Sequence, residues 1–228
     1  PIWVGPPARN ASEISMMRAL AQTMTLCLLT LLALSGVAHA HPHSWVDLRS
    51  EVVTNDKGQV VALRQYWLFD PLYTSYELSG QPESTATPEF LQSMADRNLT
   101  ALADYAYFTH VRAGGQAITT RLSGKGRGGL VNGRLWMEFT LDLARPVDPA
   151  GEAFSFAVYD PTYYIEMLHL EGEPVMVGDT GAARCFGEIE APNPSPEAIA
   201  LAASLDKTES AGNGLGQLFA ETVRLTCR

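Results

Sequence analysis

An alternation of apolar and mostly polar residues over positions 134–143 constrains the fold of this chain more than any other feature. The apolar members that alternate are Leu135, Met137, Phe139, Leu141 and Leu143. Because successive side chains of a β-strand point to opposite faces, this period of two predicts a strand with one face in a core and the other towards solvent. Sheets that bury only one face are typically antiparallel.

The same period of two recurs in the segment that follows residue 43. Residues 44–53 place Val46, Leu48 and Val52 on one face. The turn signal at 55–58 predicts a hairpin whose return strand spans residues 59–69. The remaining strand-like runs are residues 107–113, 116–122, 154–160, 162–170 and the end of the chain up to Cys227.

One helix, over about residues 87–106, interrupts the strands. Thr87 can cap its first turn, Pro88 suits that turn, and apolar residues recur at helical spacing. Shorter helical segments are predicted over residues 197–205 and before the last strand. Together these patterns predict one α+β domain, residues 41–228, that is mainly antiparallel β and sandwich-like, with one long helix and short C-terminal helices.

The net charge of −9 argues against partners with a phosphate backbone. One phosphate-like signal is the glycine-rich run 124–129, which contains Lys125 and Arg127. A phosphate-binding P-loop requires Gly-Lys-Ser/Thr leading into a helix, whereas a strand-like run follows here. We therefore predict a flexible hairpin loop at this position and no nucleic-acid partner.

The N-terminal segment has the three parts of a cleaved export signal. Residues 16–18 form a short basic start, residues 20–36 carry no charged side chain, and residues 38–40 are a small-x-small cleavage site. The alternative is a transmembrane anchor, which needs about 20 predominantly apolar residues. We predict cleavage after Ala40, with residues 1–15 as an overextended start. The mature chain would then be periplasmic and would contain no transmembrane segment.

Cleavage after Ala40 leaves Cys185 and Cys227 as the cysteines of the mature chain. An even count outside the cytosol predicts a disulfide, and the alternative, a cysteine-based metal site, lacks C-x-x-C spacing here. A bridge between the two residues would tie the last strand to the region before the proline-rich connector at 191–196.

The new terminus would begin His41-Pro42-His43, which brings two imidazoles and a free α-amine together. In an extended chain the Cα atoms of His41 and His43 are about 6.5 Å apart, and their side chains point to one side. Pro42 has no amide hydrogen, which excludes a square-planar chelate through backbone amides. Nitrogen donors suit zinc, nickel, cobalt or copper and disfavour calcium and magnesium. The alternative is a solvated terminus without a ligand.

A second source of ligands is the pattern aromatic-Asp-Pro-x-Tyr, which occurs at residues 69–73 and 159–163. An Asp that precedes Pro is restricted to extended or turn geometry, so each copy can serve simply to end a strand. The functional alternative makes Asp160, in preference to Asp70, an oxygen ligand or a carboxylate that orients a histidine.

Five segments that together span almost the whole mature chain carry a likeness to a known family. They are His41–Asp47, Tyr66–Asp70, Tyr107–Thr109, Val158–Tyr164 and Phe219–Cys227. In these segments the chain resembles the bacterial family called domain of unknown function 1007. The resemblance implies a periplasmic protein associated with ABC-type transport systems, often with nickel and cobalt transporters, and no established activity. Some members carry a calcium-loop-like segment, but residues 79–86 lack its alternating carboxylates, so calcium binding is not carried over.

We expect an exported accessory protein, not an enzyme, that binds a divalent transition metal through His41, His43 and Asp160 and serves a membrane metal transporter. One alternative is an adaptor that contacts the transporter without binding metal. Another is an oxidative copper enzyme in which His110 or His169 joins the terminus, although either histidine can instead belong to a core. The sequence identifies no nucleophile with a neighbouring base and no cofactor fingerprint.

Overall fold

The computed structural model describes residues 18, 20–25, 42–79, 82–172, 175–181, 184–205, 212 and 214–228. The chain divides into two units, residues 1–38 and 39–228. In the first unit residues 20–25 are helical, while most of the predicted export signal, and also His41, lie outside the described residues. None of the described helices combines the length and the apolar character that crossing a membrane requires.

The second unit consists mainly of strands, with a few helices between them. Its described strands are β1 (Ser44–Thr54), β2 (Val60–Phe69), β3 (Thr109–Ala113), β4 (Gln116–Ile118), β5 (Thr120–Leu122), β6 (Arg127–Val131), β7 (Arg134–Val147), β8 (Phe154–Val158), β9 (Ile165–His169), β10 (Met176–Val177), β11 (Cys185–Glu190) and β12 (Thr222–Cys227). Its described α-helices are α1 (Pro71–Glu77), α2 (Pro88–Leu102), α3 (Pro196–Ser204) and α4 (Leu215–Leu218). Short 3-10 segments lie at Glu83–Thr85 and Ala103–Phe108.

The strands form two sheets. The seven-stranded sheet has the order β10-β1-β2-β7-β5, with β9 also paired to β1 and β6 to β7. The five-stranded sheet has the order β11-β12-β8-β3-β4. Among the described strands every pair is antiparallel except β1 with β9 and β1 with β10, which are parallel. The predicted α+β, mainly antiparallel fold is confirmed.

One hydrophobic cluster takes its side chains from both sheets, as in a sandwich. Leu63 and Phe139 come from the seven-stranded sheet, and Phe156 and Val223 come from the five-stranded sheet. The alternation that predicted strand β7 is confirmed, because its apolar positions are buried and the positions between them are not. Each sheet therefore turns a regular set of residues away from the core.

The long helix begins where the sequence predicts, since Thr87 Oγ1 accepts a hydrogen bond from the backbone N–H of Phe90 at 3.2 Å. Helix α2 ends at Leu102, earlier than residue 106, and the chain continues as a 3-10 segment. Ala106 and Tyr107 there have φ angles of 51° and 54°, which an α-helix does not allow.

The glycine-rich run is not a simple flexible loop, because its second half, residues 127–129, belongs to strand β6, which lies against α2. A Cβ atom on Gly128 would lie 2.6 Å from the carbonyl oxygen of Leu91, and one on Gly126 would overlap the side chain of Leu99. Glycine is therefore needed for the close approach of helix and strand, a packing role that composition alone does not distinguish from flexibility.

Cys185 and Cys227 form the predicted disulfide. The two residues face each other in the register of β11 and β12, so the bridge ties the last strand of the chain to the edge strand of the five-stranded sheet.

Candidate functional site

The predicted site lies where strand β1 begins, although His41 itself is outside the described residues. His43 is half-buried, and its backbone N–H donates a hydrogen bond to the carbonyl oxygen of Tyr164 at 2.9 Å. The rings of these two residues lie 4.8 Å apart. The next residue, Ser44, pairs with Ile165 at the start of β9. The segment around His43 is thus held against the loop that contains Asp160.

Asp160 shapes that loop through four contacts. It is 5% exposed, and its two carboxylate oxygens accept hydrogen bonds from the backbone N–H and the hydroxyl of Thr162 and from the backbone N–H of Ile165, at 2.9 to 3.1 Å. These contacts occupy the lone pairs that a metal ion would need. They favour a positioning role for Asp160 over direct ligation, because the loop that it orders presents Tyr164 to His43.

Asp70 holds the same region from the other side. Its Oδ1 atom accepts hydrogen bonds from the backbone N–H groups of Leu72 and Tyr73, which caps helix α1. Its Oδ2 atom accepts from the hydroxyl of Ser44 at 2.6 Å and from the backbone N–H of Trp45 at 2.9 Å. Burial opposes ionisation, but these hydrogen bonds outweigh it and hold the pKa of Asp70 below its ordinary value.

Another carboxylate near the start of β1, that of Asp47, is committed to the sheet. Asp47 pairs with the guanidinium of Arg134 at 2.8 Å. The same guanidinium donates hydrogen bonds to the carbonyl oxygens of Leu68 and Phe69 at the end of β2. Asp47 is therefore part of the framework around the start of β1, as its distance from His43 along an extended strand predicts.

The part of the chain that the structure describes contains no group of three or more His, Cys, Asp or Glu side chains that can hold a metal ion. This finding does not cover His41 or an α-amine at that residue, which the prediction requires. The prediction that His41, His43 and Asp160 form a metal site therefore stays a prediction. At the start of β1 the described residues provide one imidazole, that of His43, which is fixed by backbone and ring contacts.

A second histidine belongs to a polar network in the interior. His169 Nδ1 lies 2.8 Å from a carboxylate oxygen of Glu221, and its Nε2 lies 3.0 Å from the hydroxyl of Ser50. Ser50 Oγ also donates to Gln65 Oε1 at 2.8 Å. The partners come from β1, β2, β9 and the residue before β12, so no local sequence pattern signals the network. It engages both ring nitrogens of His169.

This network places a serine, a histidine and a carboxylate in the order that activates a nucleophile in hydrolases. Ser50 is only 5% exposed and lies on the core side of β1, next to the fully buried Gln65. A substrate carbonyl cannot approach a hydroxyl in that position without opening the sheet. The arrangement is therefore an interior hydrogen-bond network that joins β1, β9 and the C-terminal strand.

The remaining described histidine, His110, lies on the outer face of the five-stranded sheet. Its ring stacks on that of Tyr159, with centroids 4.2 Å apart and an interplanar angle of 17°. Its Nε2 atom is buried and has no hydrogen-bond partner among the described residues. Burial lowers the pKa of His110, so its imidazole is neutral at neutral pH.

Comparisons with known proteins agree on a family and leave the activity open. A family model described as "Protein of unknown function (DUF1007)" matches residues 26–227. An uncharacterized protein of Haemophilus influenzae is 27% identical over 206 residues, which cover 89% of this chain and 98% of that protein. No solved structure matches the chain.

Proposed function

Because this chain belongs to the DUF1007 family, whose description assigns no activity, we propose from its own residues that it is an exported protein that binds a divalent transition metal. In this proposal the metal is zinc, nickel, cobalt or copper, and the donors are the imidazoles of His41 and His43 with the α-amine freed by cleavage after Ala40. The protein would work in the periplasm as an accessory to a membrane transporter of that metal.

The observation that carries this proposal is the fixation of the segment after His43 from two sides. Asp70 binds Ser44 and Trp45, and the loop ordered by Asp160 binds the backbone of His43. A terminus that served only as a solvated end would need none of these contacts. Fixing one imidazole in advance lowers the entropy that is lost when a metal recruits the remaining donors.

Asp160 enters the proposal as a positioning residue. Its oxygens hold Thr162 and Ile165, and the loop then contacts His43 through Tyr164. Carboxylates that orient a histidine without touching the metal are common in metal sites. Replacing Asp160 should therefore weaken metal binding without changing the number of protein nitrogens at the metal.

The test is calorimetric titration of protein that begins at His41 with zinc, nickel, cobalt and copper ions. One metal should bind at a stoichiometry of one. His43→Ala, or one extra alanine ahead of His41, should weaken that binding by about tenfold or more, equal to about 1.4 kcal/mol. His110→Ala is the matched control, because this histidine lies on the other sheet and should leave the affinity unchanged.

Three outcomes would contradict the proposal. Absence of binding for all four metals, with correctly folded protein, would favour an adaptor that contacts the transporter without metal. Equal affinity with and without the extra alanine would remove the α-amine from the site. Copper-dependent consumption of an oxidant would instead support the copper enzyme. The transport role is tested separately, by comparing cellular content of the bound metal with and without the gene.

A further inference from the structure

A cavity of about 490 Å³ opens on the outer face of the five-stranded sheet, far larger than a water site. It exists because the central strand β8 turns two small residues, Ser155 and Ala157, to that face. The flanking strands carry larger ones, including His110 on β3 and Thr222 on β12, in register with Ala157. Tyr159 and Gln217 add walls at one end. The volume is within the range of small-molecule sites.

The cavity has a cation at its rim. Arg112 lies on the same face of β3 as His110, and Ser155 stands between Arg112 and Arg224 in one row across the sheet. Arg224 is paired with Glu190 at 2.6 Å. Among the described residues Arg112 has no carboxylate partner, and its guanidinium donates a hydrogen bond to the carbonyl oxygen of Gly115. Its charge is therefore available to an anion.

One residue that lines the cavity, His110, carries a hydrogen-bonding atom without a partner among the described residues. His110 Nε2 is buried, and no described residue donates to it or accepts from it. A buried polar atom without a partner is costly, which is why such atoms often mark a place where a ligand or water binds. The stack on Tyr159 fixes the ring plane and with it the direction of this nitrogen.

We propose that this cavity binds a small organic monocarboxylate, whose carboxylate pairs with Arg112 and whose second polar group hydrogen-bonds to His110 Nε2. A single guanidinium without a carboxylate partner matches one negative charge, and its planar fork matches a carboxylate. The net charge of −9 disfavours ions of higher charge. Ala157, Ile118 and Ala220 supply apolar wall for the body of the ligand.

This inference does not depend on metal binding at the terminus. The cavity residues belong mainly to the five-stranded sheet, with others from β5, the 3-10 segment before β3 and the segment around α4, and none of them is a proposed donor or positioning residue at the terminus. The His43→Ala variant should therefore lose metal binding and keep carboxylate binding in the cavity. The Arg112→Gln variant should lose carboxylate binding and keep its affinity for the metal.

The experiment is calorimetric titration of the full chain with 4-hydroxybenzoate, its amide 4-hydroxybenzamide and inorganic phosphate. We expect saturable binding of 4-hydroxybenzoate and, by comparison, at least about tenfold weaker binding of the amide and of phosphate. Arg112→Gln should weaken 4-hydroxybenzoate binding by about tenfold, and His110→Phe, which keeps the stack on Tyr159, by about threefold. Arg121→Gln, another exposed arginine, is the matched control and should change nothing.

Three outcomes would overturn the inference. They are no saturable binding of 4-hydroxybenzoate, binding of the amide or of phosphate at least as tight, and affinity that is unaffected by Arg112→Gln. Thermal unfolding of each variant shows whether it is folded. Arg112 is exposed, so its replacement should leave the unfolding temperature unchanged.

Discussion

The two copies of the aromatic-Asp-Pro-x-Tyr pattern bury their aspartates equally, yet the chain that follows each aspartate adopts a different structure. After Asp70 it continues as helix α1, and Thr74 Oγ1 donates to the carbonyl oxygen of Asp70 as in a first helical turn. After Asp160 it makes one turn, passes through Tyr163 at a φ of 61°, and enters β9 at Ile165. The shared pattern fixes the carboxylate, and the residues that follow decide what it caps.

The difference has identifiable causes. The carbonyl oxygen of Pro161 accepts hydrogen bonds from the backbone N–H groups of Gly214 and Gly216, so it is not free for a helical bond. Thr162 and Ile165 are β-branched, which favours extended structure. Both turns nevertheless serve one place, because each fixes part of the start of β1. A repeated sequence pattern can therefore mark two supports of one site without marking two ligands.

The largest expected effect is a difference in the free energy of unfolding between variants at the two aspartates. Asp70→Ala should lower the free energy of unfolding by about 4 kcal/mol, since it removes a helix cap and leaves the buried hydroxyl of Ser44 without its acceptor. Asp160→Ala should cost about 2 kcal/mol, because Thr162 can turn its partly buried hydroxyl to water and no helix loses its cap. Urea unfolding of both variants measures the difference.

The control for this pair is Asp148→Ala in an exposed turn, which should cost no more than about 0.5 kcal/mol. A larger loss for Asp160→Ala than for Asp70→Ala would contradict the comparison. It would mean that the loop before β9, and not the cap of α1, is the stronger of the two supports.

A second prediction concerns the contact that only the Asp160 turn possesses. A methyl group on Gly216 would overlap the backbone carbonyl oxygen of Asp160. Gly216→Ala must therefore displace either the turn after Asp160 or helix α4, at a cost of about 3 kcal/mol. Gly151→Ala is the control, because its nearest neighbour is the side chain of Asp148. Urea unfolding should show the loss in the first variant only. Equal stability of both variants would show that helix α4 does not pack closely against this turn.

A smaller effect compares one threonine from each copy. Thr74 Oγ1 is buried and accepts a hydrogen bond from the backbone N–H of Leu135, so Thr74→Val should cost about 2 kcal/mol. Thr162→Val removes a partly buried hydroxyl from Asp160 and should cost about 1 kcal/mol. Thr100→Val, at an exposed position on α2, is the control. Equal losses for Thr74→Val and Thr162→Val would remove the distinction between a buried and a partly buried support.

Local patterns predicted the elements of this fold that local physics determines. The hairpin around residues 55–58, the cap at Thr87 and the pairing of Cys185 with Cys227 follow from turn chemistry, capping and cysteine parity. Helix α1 was not predicted, because its seven residues are too few for a helical period to stand out.

The site was less predictable because its partners are remote in sequence. The parallel pairing of β1 with β9 brings His43 to Tyr164, and no periodicity encodes which strands pair. Ser50 and His169 meet across 119 positions for the same reason. The pattern around Asp160 marked the right loop, but whether its carboxylate faces a ligand or its own backbone depends on Thr162 and Ile165 folding back onto it.

The smallest expected effect is a pH dependence that belongs to Asp70. Its pKa is lowered in the folded protein, so on acidification the unfolded chain takes up this proton first, near the ordinary carboxyl value of about 3.9. The stability that Asp70 contributes is therefore fully present above that value and is lost as the pH falls through the lower folded pKa.

Asp70→Asn lacks this titration, so its deficit in unfolding free energy relative to wild type should shrink between about pH 6 and about pH 3. Urea unfolding of both proteins across that range measures the deficit. Titrations common to both proteins cancel in the difference. A deficit that stays constant or grows on acidification would show that the bonds from Ser44 and Trp45 do not favour the charged carboxylate, and that Asp70 holds the start of β1 by shape alone.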